Sequence, residues 1–393
     1  MAKLTVKDLD LKNKTVLMRA DFNVPLDGEF NITDDTRIRE TLPTIQYILK
    51  NGAKNLVLMS HLGRPDGKRV DKYSLKPVAK KLADLLGEKI NFLSDCVGPE
   101  VKAAVDSSQD RVILLENLRY HAEEEGNDEN FAKQLASLGE LFVNDAFGTA
   151  HRAHASTAGV DKFLKSAAGF LLEKEIKYLG DAVSNPQKPF MVILGGAKVS
   201  DKIGVIENLL PKCETIIIGG GMAYTFLKAQ GKSIGNSKLE KDKLDLAKTI
   251  LDKAAAMKKE ILLPIDHVVV ETVDPNAKSE IVGEQIPEGK IAVDIGPKTI
   301  ALFNAKLQSA KTVVWNGPLG IFEMDAFSKG TLEVGKCLAG LKAVTIIGGG
   351  DTAAAVAKFK LQDKMTHIST GGGASLEFLE GKTLPGIAAL TDR

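Results

Sequence analysis

The sequence predicts an α/β protein: two doubly wound parallel-sheet (Rossmann-like) domains joined by an interdomain helix and hinge. At 393 residues the chain exceeds the roughly 100–200 residues of an ordinary single core. A β-rich apolar run, a loop signal and a helical stretch recur along it, which is the pattern of βαβ units. Two sets of such runs are separated by the helical stretch "LLEKEIKYLGDAVS" (171–184) and the loop "NPQKP" (185–189).

The first set comprises "TVLMRADFNV" (15–24), "NLVLMSHLGRP" (55–65), "RVILLENLRY" (111–120) and "LFVNDAFG" (141–148), each ending in polar or charged residues. The second comprises "PFMVILGGAKV" (189–199), "TIIIGGGMAY" (215–224), "ILLPIDHVVV" (261–270), "TVVWNGPLG" (312–320), "VTIIGGG" (344–350) and "THIST" (366–370), whose ends are mostly glycine. These place an N-terminal domain at 1–170, a connecting helix and hinge at 171–188, and a C-terminal domain at 189–380. The run "EEEGNDEN" (123–130) reads as a solvated loop or helix start.

Bulk properties narrow the function classes. The 52 basic and 51 acidic residues leave a net charge of +1, so no global field favours nucleic acid or anionic lipid, and neither is expected as a partner. Cys96, Cys213 and Cys337 are far apart and form no C-x-x-C pair, which fits reduced, packed thiols in a cytoplasmic protein. The opening "MAKLTVKDLDLKNKTV" lacks the apolar stretch of a signal peptide, and no run of 18 apolar residues occurs.

In parallel sheets ligands bind beyond the carboxyl ends of the strands. In the first half those ends carry Asp21 and Asn23, His61 and Arg64, Arg119, and His151 with Arg152, while Arg37 follows the first loop. One arginine at a strand end reads as a surface ion pair, and a lone His61 as a cap or core residue. Several arginines at successive ends instead suit a small, multiply charged acid, because the guanidinium fork binds carboxylate or phosphate with two hydrogen bonds. His151 and His154 have a spacing seen in metal sites but no third ligand near in sequence. Cys96, His121, His267 and His367 read as structural or surface residues.

The second half presents "GGAK" (195–198), "GGGMAY" (219–224), "GGGDTA" (348–353) and "GGGAS" (371–375), each opening a helix. Glycine admits close backbone approach, and the helix that follows supplies N–H groups for an anion. Neither "GKS" (231–233) nor "GKT" (381–383) is a phosphate-binding P-loop, because Phe226 and Leu376 stand where its first glycine belongs. Gly348, Gly350 and Ala353 fit a dinucleotide fingerprint, but the acidic residue due at the next strand end is missing, since that strand ends at Thr370. Asp351 would also repel a bare pyrophosphate. It fits a nucleotide whose phosphates carry a divalent cation, Mg²⁺ by chemistry, or alternatively it caps its helix. Lys198 and Lys202 add positive charge, and Glu323 either meets a ribose or is a surface acid.

A basic crest and a nucleotide crest together imply phosphoryl transfer, in which alignment and positive charge supply most of the catalysis. A carboxylate acceptor would need no general base. "RADFNVPLDG", "SHLGRP", "LLENLRYH", "NDAFGTAHRAHAS", "GGAKVSDKI", "GGGMAYTF", "DIGPKT", "VVWNGPLGIFE", "IIGGGDTAAA" and "STGGGASLEFLEG" occur in the same order as in phosphoglycerate kinases, and nearly the whole chain resembles that family. The resemblance implies a monomeric, hinge-bending glycolytic kinase that moves a phosphoryl group between 1,3-bisphosphoglycerate and MgADP, giving 3-phosphoglycerate and MgATP. It also implies that segment 381–393 packs back on the first domain. It assigns the acid substrate to Asp21, Phe22, Asn23, Arg37, His61, Leu62, Gly63, Arg64, Arg119 and Arg152. It assigns the nucleotide to Gly195, Gly196, Ala197, Lys198, Lys202, Gly219, Gly220, Gly296, Asn316, Pro318, Glu323, Gly349, Gly350, Asp351 and Thr352, with Asp351 linked to the metal. Arg37, Lys202 and the Gly371, Gly372 and Gly373 turn are then catalytic. The competing readings are an NAD-dependent dehydrogenase of an anionic substrate and a non-catalytic nucleotide sensor.

Overall fold

A computed structural model describes residues 3–393. The chain divides into two compact units, Met1–Lys177 with Thr383–Arg393, and Tyr178–Lys382. The division falls within the helix Phe170–Ser184.

The first unit is built on β1 (Thr15–Arg19), β2 (Asn55–Met59), β3 (Ile90–Phe92), β4 (Val112–Leu114), β5 (Leu141–Asn144) and β6 (Lys165–Ala168). They form one sheet in the order β3-β4-β2-β1-β5-β6, every pair parallel. The strands β1, β2, β4 and β5 carry near-continuous apolar runs because both faces are covered. Val16 and Met18 of β1 join one core with Leu56, Leu58 and Val143, while Leu17 faces a second with Val57, Met59 and Phe142. The final segment adds to this unit: Leu4 N–H donates to Thr391 O at 2.9 Å, and Lys3 Nζ donates to Leu390 O at 2.7 Å.

The second unit contains β7 (Phe190–Leu194), β8 (Thr215–Ile218), β9 (Glu260–Leu262), β10 (His267–Val270), β11 (Glu280–Val282), β12 (Ile291–Ile295), β13 (Thr312–Asn316), β14 (Val344–Gly348) and β15 (His367–Ile368). Six of these form a parallel sheet in the order β15-β14-β13-β7-β8-β9. One face packs Met191, Ile193, Val313, Trp315 and Ile347 into a single core. The remaining three form a separate antiparallel sheet, β11-β10-β12.

This small sheet corrects one expectation. The run 261–270 is two strands in different sheets rather than one, broken around Pro264, which has no N–H to donate to a ladder. The short strands β3, β6 and β11 and the five-residue β12 are not among the predicted runs, and the other runs overshoot because their polar tails are loops.

Asp145, just beyond β5, caps the helix Phe170–Ser184. Its Oδ1 accepts from the N–H groups of Leu171 at 2.9 Å and Leu172 at 3.1 Å, and Gly169 lies so close that a Cβ there would sit 2.3 Å from the carboxyl. Replacing Asp145 by Ala strands one buried and one partly buried donor and is expected to lower stability by about 1–3 kcal/mol. Urea unfolding measures it, and an unchanged midpoint would show that the cap is dispensable.

Candidate active site

Arg19, the last residue of β1, is fully buried and still carries its charge, because an arginine cannot lose it in a protein. The counter-charge is Glu124, which is also fully buried and whose pKa burial raises while Arg19 lowers it. Ser156 joins them: Arg19 Nε donates to its Oγ at 2.9 Å, and that hydroxyl donates to Glu124 Oε1 at 2.5 Å. Arg19 Nη2 lies 3.1 Å from His61 Nδ1. A guanidinium can only donate, so Nδ1 holds a lone pair and Nε2 holds the hydrogen. Burial, then Arg19, Arg119 and Arg37, drive the His61 pKa well below its ordinary value. His61 is therefore a neutral donor within a positive field.

The crest is assembled above this buried pair. Arg37, in the first turn of the helix Thr36–Lys50, donates Nη1 to Asp21 Oδ2 at 2.5 Å, and its side chain stays 36% exposed. Phe22 N–H donates to Ser60 Oγ, and Asn23 Oδ1 accepts from Gly63 N–H at 2.9 Å. Arg119 Nη1 donates to Gly63 O at 3.1 Å, and Asn117 Nδ2 donates to Leu62 O at 2.7 Å. Arg152 lies near enough to Arg119 to depress its pKa, after burial and against the support of Glu125. Arg64 is exposed on the same loop. Asp21, Phe22, Asn23, Arg37, His61, Leu62, Gly63 and Arg119 are thus tied into one group. Gly63 has φ +64° and its face lies on the Tyr73 ring, where a Cβ would be 2.3 Å away.

Sequence reading missed Arg19, Ser60, Glu124, Ser156 and Gly148. Gly148 sits against the Asp21–Arg37 pair, where a Cβ would lie 2.6 Å from Asp21 Oδ2. Its only signal is its place in "NDAFG" at a strand end; the others read as ordinary core or loop residues.

In the second unit a cavity of ≈ 240 Å³ is lined by Gly195, Gly196, Ala197, Lys198, Lys202, Asn316, Gly349, Gly350, Asp351 and Thr352, with Asp201 and Gly317 unforeseen. A more apolar cleft of ≈ 390 Å³ shares Gly196, Ala197 and Asp351 with it and adds Gly220, Pro318 and Glu323, besides Tyr224, Lys238 and Val293. Gly219 lies against Leu319, and Gly296 against Asp266; neither lines these two spaces. Gly371, Gly372 and Gly373 lead into the helix Gly373–Leu379 and are also outside both linings.

The cavity is narrow because backbones touch. A Cβ on Gly195 would be 2.1 Å from Pro318 O, and one on Gly317, at φ +102°, 2.2 Å from Gly195 O. Lys202 Nζ donates to Asn316 Oδ1, leaving Asn316 Nδ2 buried without a partner. Burial lowers the Lys202 pKa, against the charges of Asp201, Asp351 and Glu380. Thr352 Oγ1 accepts from Gly317 N–H at 2.6 Å and so locks the helix Gly350–Lys358 to the β13 loop. The N-cap of that helix is Gly349, not Asp351. The capping alternative for Asp351 is thereby removed: its exposed carboxylate borders both spaces beside Lys202.

Parallel strands with helices on both faces, an arginine crest in one unit and a glycine-walled, lysine-bearing cavity in the other place the chain among the α/β phosphotransferases built of two such units. A family model described as phosphoglycerate kinase matches residues 6–382. A Koribacter versatilis protein of that name is 59% identical over 404 residues, covering all of both chains. The structure of phosphoglycerate kinase from Coxiella burnetii superposes with a TM-score of 0.91 at 43% identity, covering 98% of each chain. That from Pyrococcus horikoshii gives 0.84 at 33%, with the same coverage. The chain belongs to the phosphoglycerate kinase family.

Two outcomes follow from this geometry. Gly195→Ala is expected to cost about 1–3 kcal/mol, since only backbone can give way, whereas Gly350→Ala meets open space and should be near neutral. Denaturant midpoints of the two variants test the contrast, and equal values would refute it. Separately, burial and then Arg119 and Arg19 hold His154 at a pKa of about 3. Its ring should stay neutral in NMR titration down to pH 4. Because the unfolded ring takes a proton below its ordinary value near 6.5, this histidine's contribution to stability is lost as pH falls from about 6.5 toward 3. A ring that titrates near pH 6 would contradict the burial argument.

Proposed function

We propose that the chain is a glycolytic kinase that transfers the acyl phosphoryl group of 1,3-bisphosphoglycerate to ADP, reversibly, giving 3-phosphoglycerate and ATP. Family membership over residues 6–382, which takes in both crests, is the observation that carries this reading. The acid substrate belongs on the arginine crest. Arg64, Arg119 and Arg152 supply charge for its carboxylate or phosphate groups, His61 a neutral Nε2–H donor, and Asp21 and Asn23 hydrogen-bonding partners for its hydroxyl. The nucleotide belongs in the two joined spaces of the second unit, its ring system against the apolar cleft beside Pro318 and Val293 and its phosphates against the glycine-walled cavity. Glu323 borders the cleft where a ribose would lie.

The transferred group passes through a loose transition state with charge spread over its equatorial oxygens. Arg37 and Lys202 are the cations proposed to meet that charge, one from each substrate's side. Lys202 is suited to this because Asn316 holds it and burial keeps water from screening it. Asn316 Nδ2, a buried donor without a partner, awaits an anionic acceptor. The Gly371, Gly372 and Gly373 turn is proposed to add backbone N–H donors. No covalent intermediate is needed, and the carboxylate acceptor of the reverse reaction needs no general base.

Asp351 fits Mg²⁺: its carboxylate is exposed, spared from capping, and adjoins the space assigned to the phosphates. When bound, Mg²⁺ would neutralise phosphate charge that Asp351 alone would repel. Closure of the units on their bound substrates is the proposed means of excluding water. Among the described residues no helix is long and apolar enough to cross a membrane. A cytoplasmic monomer is part of the proposal.

A coupled assay for ATP formation from ADP and 1,3-bisphosphoglycerate tests the reading, and no turnover would sink it. In the same assay Arg37→Ala is expected to cut kcat by roughly a hundredfold or more, the scale at which a transition-state charge contact registers, with a much smaller change in KM. A rise in KM with unchanged kcat would remove Arg37 from the catalytic role.

A further inference from the structure

The loops after β3 and β4 leave one edge of the first sheet, because the strands pair in parallel with Phe92 opposite Leu114. Leu93 N–H donates to Leu114 O at 3.0 Å and Glu116 N–H to Asp95 O at 3.4 Å, which holds the two loops together. This brings Asp95 and Cys96, from the first loop, against His121, which follows the 3-10 turn Leu118–Tyr120 of the second. Read separately in the sequence, Cys96 and His121 are structural residues. Folded, one ligand atom of each of the three lies within 4.8 Å of the others. Asp95 Oδ1 is 2.7 Å from His121 Nε2, and the imidazole rests on the Phe131 ring at 5.3 Å between centroids.

We propose that Asp95, Cys96 and His121 form a binding site for a borderline-soft divalent cation of the Zn²⁺ class, distinct from the carboxylate at Asp351. A sulfur and an imidazole nitrogen disfavour Mg²⁺ and Ca²⁺, which take oxygen ligands, and favour zinc. Three protein ligands leave a fourth, solvent position. Metal–ligand bonds of about 2.0–2.3 Å put tetrahedral oxygen, nitrogen and sulfur ligands roughly 3.3–3.5 Å apart, so the sulfur needs to draw in by at most about 1.3 Å and the Asp95–His121 pair to open by about half an ångström. Access is available on the Asp95 side, whose carboxylate is 50% exposed and borders a cleft of ≈ 390 Å³ between Leu93 and Val101. On the inner side the buried carboxyls Glu116 and Glu124 add negative potential at Cys96.

Coordination is balanced in protons. The Cys96 S–H bond breaks heterolytically, its electron pair going to the ion and its proton to solvent. The hydrogen that His121 Nε2 shares with Asp95 shifts to Nδ1, freeing the Nε2 lone pair. One proton is released per ion bound. Burial and the charges of Asp95, Glu124 and Glu116 keep the free thiol protonated, so that proton is present to be released.

Co²⁺ titrated into the intact, nucleotide-free protein is the test. One equivalent should produce a thiolate-to-cobalt charge-transfer band, release one proton, resist excess Mg²⁺ and yield to one equivalent of Zn²⁺. Cys96→Ser should abolish the band. His121→Gln, at a partly exposed side chain, should weaken Co²⁺ binding at least about tenfold. No band in the native protein would overturn the proposal, and so would a band undiminished in Cys96→Ser, which would assign the sulfur to Cys213 or Cys337. Should Cys96→Ser fail to fold, unchanged Co²⁺ affinity in His121→Gln overturns it alone.

Discussion

Parallel pairing in level register is the constraint on which the rest of the structure depends. Arg19 stands opposite both Met59 and Asn144, so the chain leaves β1, β2 and β5 at one height. Asn316 likewise stands opposite Leu194 and Gly348. A parallel strand must be followed by a crossover, and every crossover here begins at that same edge. Residues more than a hundred positions apart, such as Lys202 and Asn316, become neighbours because their strands end together. Had the strands alternated in direction, the same polar tails would have been divided between two edges.

The two crests meet the problem of holding an anion by different physics. In the first unit positive charge is concentrated in side chains and stabilised from below by a buried Arg19–Ser156–Glu124 chain. That burial has a chemical consequence, since it leaves His61 neutral and orients its remaining N–H. In the second unit the charges are balanced and backbone shape matters more. Glycine-to-carbonyl approaches at Gly195 and Gly317 bring backbone to the cavity wall, where Lys198 and Lys202 are opposed by Asp201 and Asp351. The arginine crest suits a compact acid that side chains can surround, and the glycine cavity suits phosphates approached by backbone N–H groups.

The fold class was legible because doubly covered parallel strands are continuous apolar runs, and ten of them punctuate the chain. What escaped were strands too short to show a pattern, such as Ile90–Phe92, and the separation at Pro264, where one apolar run serves two sheets. At the crests, residue types that are unusual at strand ends were readable: four arginines, four glycine turns and a carboxylate beside glycines. Arg19 was not, since a basic residue closing an apolar run reads as a surface end, and only burial reveals its role. Ser156 gave no signal either, and Gly148 only its place at a strand end, because serine and glycine in a loop are ordinary until their neighbours are known.

By itself the sequence determined the two-sheet α/β class, the basic character of one half and the glycine-rich character of the other. It also raised the question of why a carboxylate should stand at Asp351. These are local properties, set by runs of residue types and their periodicity. The tertiary structure alone decided that Gly349 rather than Asp351 caps the helix, and that the same two cavities share Asp351. It alone set His61 against Arg19, and Asp95 and Cys96 against His121. The physical reason is common to all four. A cap, a shared cavity, a tautomer and a ligand set are each defined by atoms a few ångströms apart in space, and that proximity comes from strand register and loop packing.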